Sequence, residues 1–295
     1  MYLTRADPPG TAAVATDRPA AGVRRSWLAT EESGGSRFAQ VSVLTVPPAT
    51  SCPVPGQHGE QICVLVSGEA KLLIGKKTRS IEKGAVIHST NGDAFTIETE
   101  NATATALLLS ATPQPDPADD HSQHPYDPAP VDCFSLYDVH DETLHQPEAG
   151  FYHMGTRMLL NATQGGYQSF IFGQSSFAAT SGIHVMHRHP GADEFFYVWE
   201  GDGAHLASDR TEHPMTAGDA VFVPRNEWHG FRNTGDQTVR AFFCLIGTGT
   251  MDQAGNELLS EGTPVNAFDA PNPAQPGPTW MTEARAPSRM NPHQL

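Results

Sequence analysis

The chain has 295 residues, enough for two compact domains, because single hydrophobic cores stop growing near this length. Its 38% hydrophobic content is ordinary for a soluble protein, and no apolar run approaches the roughly 20 residues of a membrane helix, which excludes a membrane span. Asp and Glu outnumber Lys and Arg by 33 to 18, and the resulting formal charge of -15 repels a phosphate backbone, so no nucleic-acid partner is expected.

Residues 1–24 are rich in Pro, Ala, Gly and Thr without periodicity and read as an arm lacking its own core. They show no basic end, apolar stretch or cleavage site of a secretory signal, which makes the cytoplasm the expected compartment. Residues 25–112 carry short β-prone runs at Phe38–Val46, Cys63–Val66, Lys71–Ile74, Ala85–Ser89, Phe95–Glu98 and Thr105–Leu109, set apart by Gly, Asn, Pro or charged turns. They predict a first all-β domain. Residues 113–150 shift to Pro, Asp and His and read as a linker, with His121, His124, His140 and His145 as solvated side chains.

Strand rhythm returns over 151–249, at Arg157–Thr163, Tyr167–Phe172, Ile183–Arg188, Glu194–Trp199, Ala204–Ala207, Ala220–Pro224 and Val239–Ile246. A Pro-rich tail, 250–295, follows, with Trp280 as a candidate anchor onto a neighbour. Short, evenly spaced strands with tight turns and no long helical periodicity predict a sandwich or barrel with little helix. The scattered cysteines Cys52, Cys63, Cys133 and Cys244 form no CxxC pair and read as free, mostly buried thiols.

Two signatures occur in both halves. Val66-Ser-Gly-Glu-Ala-Lys-Leu-Leu parallels Trp199-Glu-Gly-Asp-Gly-Ala-His-Leu, and Glu82-Lys-Gly-Ala-Val-Ile parallels Thr216-Ala-Gly-Asp-Ala-Val. Each places a Gly turn between two strands, which predicts one fold written twice.

The second half concentrates metal-ligating side chains. His187 and His189 lie two apart, so on a strand both imidazoles leave the same face. Glu194 opens the next apolar run and can return across a short turn to meet them, and His229 supplies a fourth group from further along. Three neutral imidazoles and one carboxylate suit a borderline divalent ion such as Fe(II), Mn(II), Ni(II), Co(II) or Zn(II). On an octahedral ion two positions would stay open for substrate, water or O2.

This stretch resembles the two motifs of the cupin superfamily. Gly182, His187, His189, Glu194 and Gly201 fill the first, and Gly218, Pro224, His229 and Asn233 the second. It departs from the pattern by one residue fewer between Gly182 and His187 and by Asn226 where the second motif usually has Gly. The resemblance implies that His187, His189, Glu194 and His229 bind one catalytic metal inside a β-barrel. A lone histidine is usually no ligand, but four residues in register with both motifs favour a ligand set over ordinary surface or core residues. A structural zinc site, the other alternative, usually closes with Cys and His in a tetrahedron.

In the first half the same counting puts Gln61 at the place of Glu194, Val54 and Gly56 at those of the paired histidines, and Phe95 at that of His229. Amide and apolar groups cannot replace those ligands. The whole is therefore expected to be a bicupin: two tandem jelly-roll barrels, the first degenerate and serving packing, dimerisation or substrate gating, the second metal-binding. His58, Glu60 and His88 fit neither motif and read as solvent-facing or turn residues.

Strand parity places Phe196 and Val198 beside Glu194, and Phe231 beside His229, so an apolar, aromatic pocket for a small organic substrate is expected around the metal. Arg157, Gln168 and Arg225 are candidate polar handles, and Trp228 is a candidate shield of the site. The leading expectation is an Fe(II)-dependent oxygenase acting with O2 on a small chelating enol, phenol, ketone or heterocycle, in a homodimer. A non-redox metal-dependent decarboxylase, isomerase or lyase is the alternative, and a ligand-binding cupin without turnover is the third.

Overall fold

The computed structural model describes residues 2–4, 22–29, 36, 38–56, 59–111 and 131–259. Most of the N-terminal arm, linker residues 112–130 and the tail beyond 259 lie outside the described residues, as do His58, His121, His124 and Trp280. The chain divides into two units: an N-terminal unit, Arg5–Asp138, and a C-terminal unit formed by Val139–Leu295 together with Met1–Thr4.

Strands β1 (Tyr2–Thr4), β2 (Arg24–Ala29), β3 (Ala39–Val46), β4 (Ser51–Val54), β5 (Glu60–Ser67) and β6 (Glu69–Ile74) come first. They are followed by β7 (Lys77–Glu82), β8 (Ala85–Ser89), β9 (Phe95–Glu98), β10 (Ala104–Ala111) and β11 (Asp132–Ser135). The second series comprises β12 (Glu142–Gln146), β13 (Phe151–Leu160), β14 (Phe170–Phe177), β15 (Ile183–Arg188), β16 (Asp193–Glu200) and β17 (Asp202–Leu206). It ends with β18 (Glu212–Thr216), β19 (Ala220–Val223), β20 (His229–Asn233), β21 (Val239–Ile246) and, after the helical turn α1 (Met251–Ala254), β22 (Glu257–Leu258). The fold is nearly all β, as expected.

In the N-terminal unit β5 pairs with β8 and β10, β6 with β7 and β9, β10 with β3, β3 with β2, and β4 with β9. The C-terminal unit repeats this map: β16 pairs with β19 and β21, β17 with β18 and β20, β21 with β14, β14 with β13, and β15 with β20. Even the outermost pairings correspond, β11 on β8 and β1 on β19. The same backbone bond closes the same turn in both, Gly84 N–H to Leu65 O and Gly218 N–H to Val198 O, each 2.8 Å. Gly84 and Gly218 have φ of 92° and 99°, a conformation that a Cβ disfavours.

The two units close differently. The N-terminal strands lie in a six-stranded and a four-stranded sheet, whereas pairing of β13 with β15 joins the C-terminal strands into one twelve-stranded, near-closed barrel sheet. Central strands are buried along almost their whole length, as in Glu60–Val66 and Asp193–Trp199. The N-terminal core is built from side chains such as Val54, Leu65, Leu72, Phe95 and Ile97, and the main C-terminal core from Phe177, Phe196, Val198, Val221 and Phe231. All four cysteines are free and buried.

Composition misassigned several edge segments. Within 113–150, read as linker, β11 pairs with β8 and β12 with β13. Residues 2–4 of the arm pair with β19, and the start of the tail forms α1 and β22. The strands among them are only two to five residues long, too short to show an apolar period; in β12 the buried residue is Leu144. Glu60 and His88, read as solvent-facing, are instead buried on β5 and β8, His88 with Phe134 packed edge-on 5.7 Å away. His140 and His145 are exposed.

Candidate metal centre

His187 lies near the end of β15, directly across the ladder from His229 at the start of β20. His189 follows just past β15, and Glu194 is the second residue of β16. A register shift between His184 and His187 lies where the sequence has one residue fewer than the motif pattern. At Gly182 a Cβ would stand 2.5 Å from the Ala178 backbone nitrogen, so only glycine fits. Its carbonyl accepts from Asn233 N–H at 2.9 Å, while the Asn233 amide donates to Phe177 O and Gln237 O, tying the end of β20 to the end of β14, the β14–β15 loop and the loop that follows β20. Asn226 adopts φ 67°, the left-handed conformation that glycine supplies elsewhere and asparagine tolerates, and its N–H donates to His189 O.

The ligand atoms of His187, His189, Glu194 and His229 all lie within 4.8 Å of one another, and all four residues are buried. Glu194 Oε2 is 2.7 Å from His229 Nε2, 3.3 Å from His189 Nε2 and 4.0 Å from His187 Nε2. Each imidazole turns its other nitrogen to a backbone carbonyl: His187 Nδ1 to Val185 O at 2.8 Å, His189 Nδ1 to Gly255 O at 2.6 Å and His229 Nδ1 to Glu227 O at 2.9 Å. A carbonyl can only accept, so every Nδ1 carries its hydrogen and, in the neutral rings, Nε2 is left with a lone pair facing the carboxylate, His229 Nε2 within hydrogen-bonding distance of it.

Three lone pairs and an anion facing one another in a buried space repel unless a cation lies between them. A proton answers part of this demand. Burial alone would lower His229, but the Glu194 carboxylate outweighs it and raises its pKa. Burial would likewise raise Glu194, and the His229 and His189 imidazoles instead hold it well below the usual carboxylate range. His187, pushed down by burial and by its neighbouring imidazoles, stays neutral. The set thus has the chemistry of a cation site, and a divalent ion could satisfy all four groups at once.

Part of this support comes from the segment assigned to the tail. Beyond supplying the Gly255 carbonyl, it pairs Leu258 with His187 and Glu257 with Arg188 in the ladder. The Glu257 carboxylate receives Arg188 through Nε and Nη2, both at 2.7 Å, and the guanidinium lies over the Trp228 ring at 4.6 Å. Trp228 therefore packs beside Arg188, outside the walls of the adjoining cavity.

That cavity, about 60 Å³, is lined by the four clustered residues and by apolar side chains including Phe151, Phe177, Phe196, Phe231 and Phe243. Of the six side chains expected to form the pocket, Phe196 and Phe231 line it. Val198 shares their face but is packed in the core further along β16. The polar handles are engaged elsewhere: Arg157 pairs with Asp141 at 2.9 Å and Gln174 at 2.6 Å, Arg225 sits 3.7 Å from Asp193, and the Gln168 amide turns to Gly166 O. Sequence reasoning passed over His184, His205 and Asn256, which also line the cavity. The cross-strand register His205↔Phe231 is the signal that would have found His205, since partners across a ladder share a face.

The fold and this cluster correspond to a known domain class. Residues 177–258, which include all four residues, match the family model described as Cupin domain. Over 89 residues it is 35% identical to Protein SchB of Streptomyces halstedii, an alignment spanning 30% of this chain and 63% of that protein. Among solved structures, a cupin 2 conserved barrel domain protein from Leptotrichia buccalis superposes with a TM-score of 0.53 at 12% identity, covering 79% of this chain and 92% of that one. The oxalate decarboxylase of Bacillus subtilis, described with Mn(II) centres, superposes with a TM-score of 0.53 at 12% identity, over 77% of this chain and 73% of its own. At such identities the structural likeness speaks for the fold alone.

Proposed function

We propose that the protein is a mononuclear metal enzyme in which His187, His189, Glu194 and His229 hold one divalent ion, and that it acts as an Fe(II)-dependent oxygenase on a small chelating substrate. The observation carrying this reading is the convergence of three carbonyl-anchored imidazoles and one carboxylate on the wall of an apolar cavity. Such a ligand set in a near-closed barrel is open on the cavity side, unlike the closed tetrahedron of structural zinc sites. A redox-active ion held there supplies electron transfer between a chelated organic substrate and O2. The chain's own contribution is to turn each Nε2 toward the Glu194 carboxylate, to fix the imidazoles through Val185, Glu227 and Gly255 carbonyls, and to exclude water with phenyl rings.

A second reading is a non-redox enzyme, a decarboxylase, isomerase or lyase, that uses the ion as a Lewis acid; the same four ligands would serve it, and the oxalate decarboxylase with Mn(II) centres is a decarboxylase on the shared fold. Anaerobic purification, elemental analysis and an O2-electrode trace with enols, phenols and ketones separate the two. Iron with substrate-triggered O2 uptake supports the oxygenase, turnover without O2 supports the Lewis-acid enzyme, and absence of both metal and turnover refutes the centre. The repeated pairing map and structural matches covering more than three quarters of the chain support a bicupin; we infer from Val54, Gly56, Gln61 and Phe95 at the ligand positions that its first barrel holds no metal and serves packing, gating or homodimer contacts.

A further inference from the structure

His205 sits on β17 facing the cavity, 2% exposed, and neither ring nitrogen has a hydrogen-bond partner among the described residues. Its ring is parallel to that of His229, 2° from coplanar orientation with centroids 6.2 Å apart, so it borders the ligand cluster without joining it. Asn256 Oδ1 and His184 Nε2, on the same cavity, are likewise buried without partners among the described residues. A buried imidazole with both nitrogens unmet is costly, and a core could fill the place with an apolar ring at less cost. The cavity also has no Lys or Arg among its described lining residues. With a divalent ion and the Glu194 carboxylate the centre carries one net positive charge, so a monoanionic chelate leaves it neutral and a dianion leaves a buried negative charge uncompensated.

We propose that the pocket selects a compact substrate, neutral or singly charged when it chelates, that presents one further hydrogen-bonding group to His205, and that it rejects dicarboxylates. This rests on the metal centre proposed above. The cavity of about 60 Å³ is well under the roughly 150 Å³ that accepts benzene, so a molecule of a few heavy atoms fits without movement of the walls.

Two chelators of similar size test it: acetohydroxamate, which binds metal as a monoanion with its N–H left free, and oxalate, a dianion. Full-length protein is loaded with Mn(II), desalted and assayed for metal content. Calorimetric titration then gives each dissociation constant relative to that chelator's affinity for free Mn(II) in the same buffer. Acetohydroxamate is expected to bind at least tenfold more favourably than oxalate on this scale. His205→Phe should weaken it about fivefold to tenfold, the loss of one hydrogen bond, at unchanged Mn(II) stoichiometry. His205→Gln, which keeps a donor and an acceptor, should retain most of the affinity. Equal binding of the two chelators, or binding of acetohydroxamate unchanged in His205→Phe, overturns the inference while leaving the centre standing. A parent protein that retains no Mn(II) removes the centre, and this inference with it.

Discussion

Glu194→Gln keeps the shape of the side chain and removes its charge, which makes it the sharpest perturbation of the cluster. Glu194 Oε2 lies 2.7, 3.3 and 4.0 Å from the three Nε2 atoms, so an ion shared by those nitrogens sits within about 4 Å of the carboxylate. At an effective dielectric constant near 20, two unit charges at that distance interact by about 4 kcal/mol, and a divalent ion interacts more strongly still. Neutralising the carboxylate should therefore cost at least about 4 kcal/mol, on the order of a thousandfold in affinity. Equilibrium dialysis against buffered Fe(II) or Mn(II) under argon, read by elemental analysis, measures the change, and the melting curve of the metal-free variant shows that the barrel is intact. Affinity within tenfold of the parent would mean that Glu194 is no ligand, and the electrostatic reasoning would fail.

At Gly191 a Cβ would stand 1.9 Å from Gln253 O, so Gly191→Ala must displace the segment bearing Gly255, and the same dialysis should show about tenfold to hundredfold weaker metal binding as His189 loses its carbonyl. Phe95→Ala should lower the stability of the N-terminal unit by about 3–5 kcal/mol in urea while metal stoichiometry stays the same; a change in bound metal would place a ligand set in the wrong unit. Asn226→Val forces a β-branched residue to φ 67° and should cost about 1–3 kcal/mol, whereas Asn226→Gly should melt within a degree or two of the parent. Burial pushes His205 down to about 3, while its unfolded imidazole titrates near 6.5, so the unfolded chain takes up the proton first and stability drains away as pH falls from about 6.5 toward 3. By pH 5 this amounts to about 2 kcal/mol, and metal-free His205→Phe should lose that part of the pH dependence of its urea midpoint; parallel curves for parent and variant would refute the assignment.

What could be read from the sequence and what could not differ in physical kind. Runs such as Ala85–Ser89 and Val239–Ile246 are strands from end to end because most of their burial comes from their own apolar residues and their ends are set by Gly or polar turns. His187, His189, Glu194 and His229 announce themselves by residue type, and side-chain parity on a strand is a local property. Strands β1, β11, β12 and β22 are held by a partner's backbone, which leaves almost no trace in their own residues. The Gly255 carbonyl that orients His189 is a main-chain group, so no residue type marks it. His205 needed the register of β17 on β20, a long-range fact.

The two units also bear on why the cluster exists. In the N-terminal unit Val54 faces Phe95 across β4 and β9 at the ladder positions where His187 faces His229 across β15 and β20. Both apolar residues belong to the core there, so this strand arrangement closes with valine and phenylalanine in place of two imidazoles. The pairing map therefore makes no demand for histidine at those positions. A buried imidazole held neutral, a buried carboxylate beside it and a further imidazole with both nitrogens unmet among the described residues all cost folding free energy that the apolar pair avoids. A cluster that the barrel can do without, and that opposes its stability, fits a role in the proposed metal binding rather than in folding.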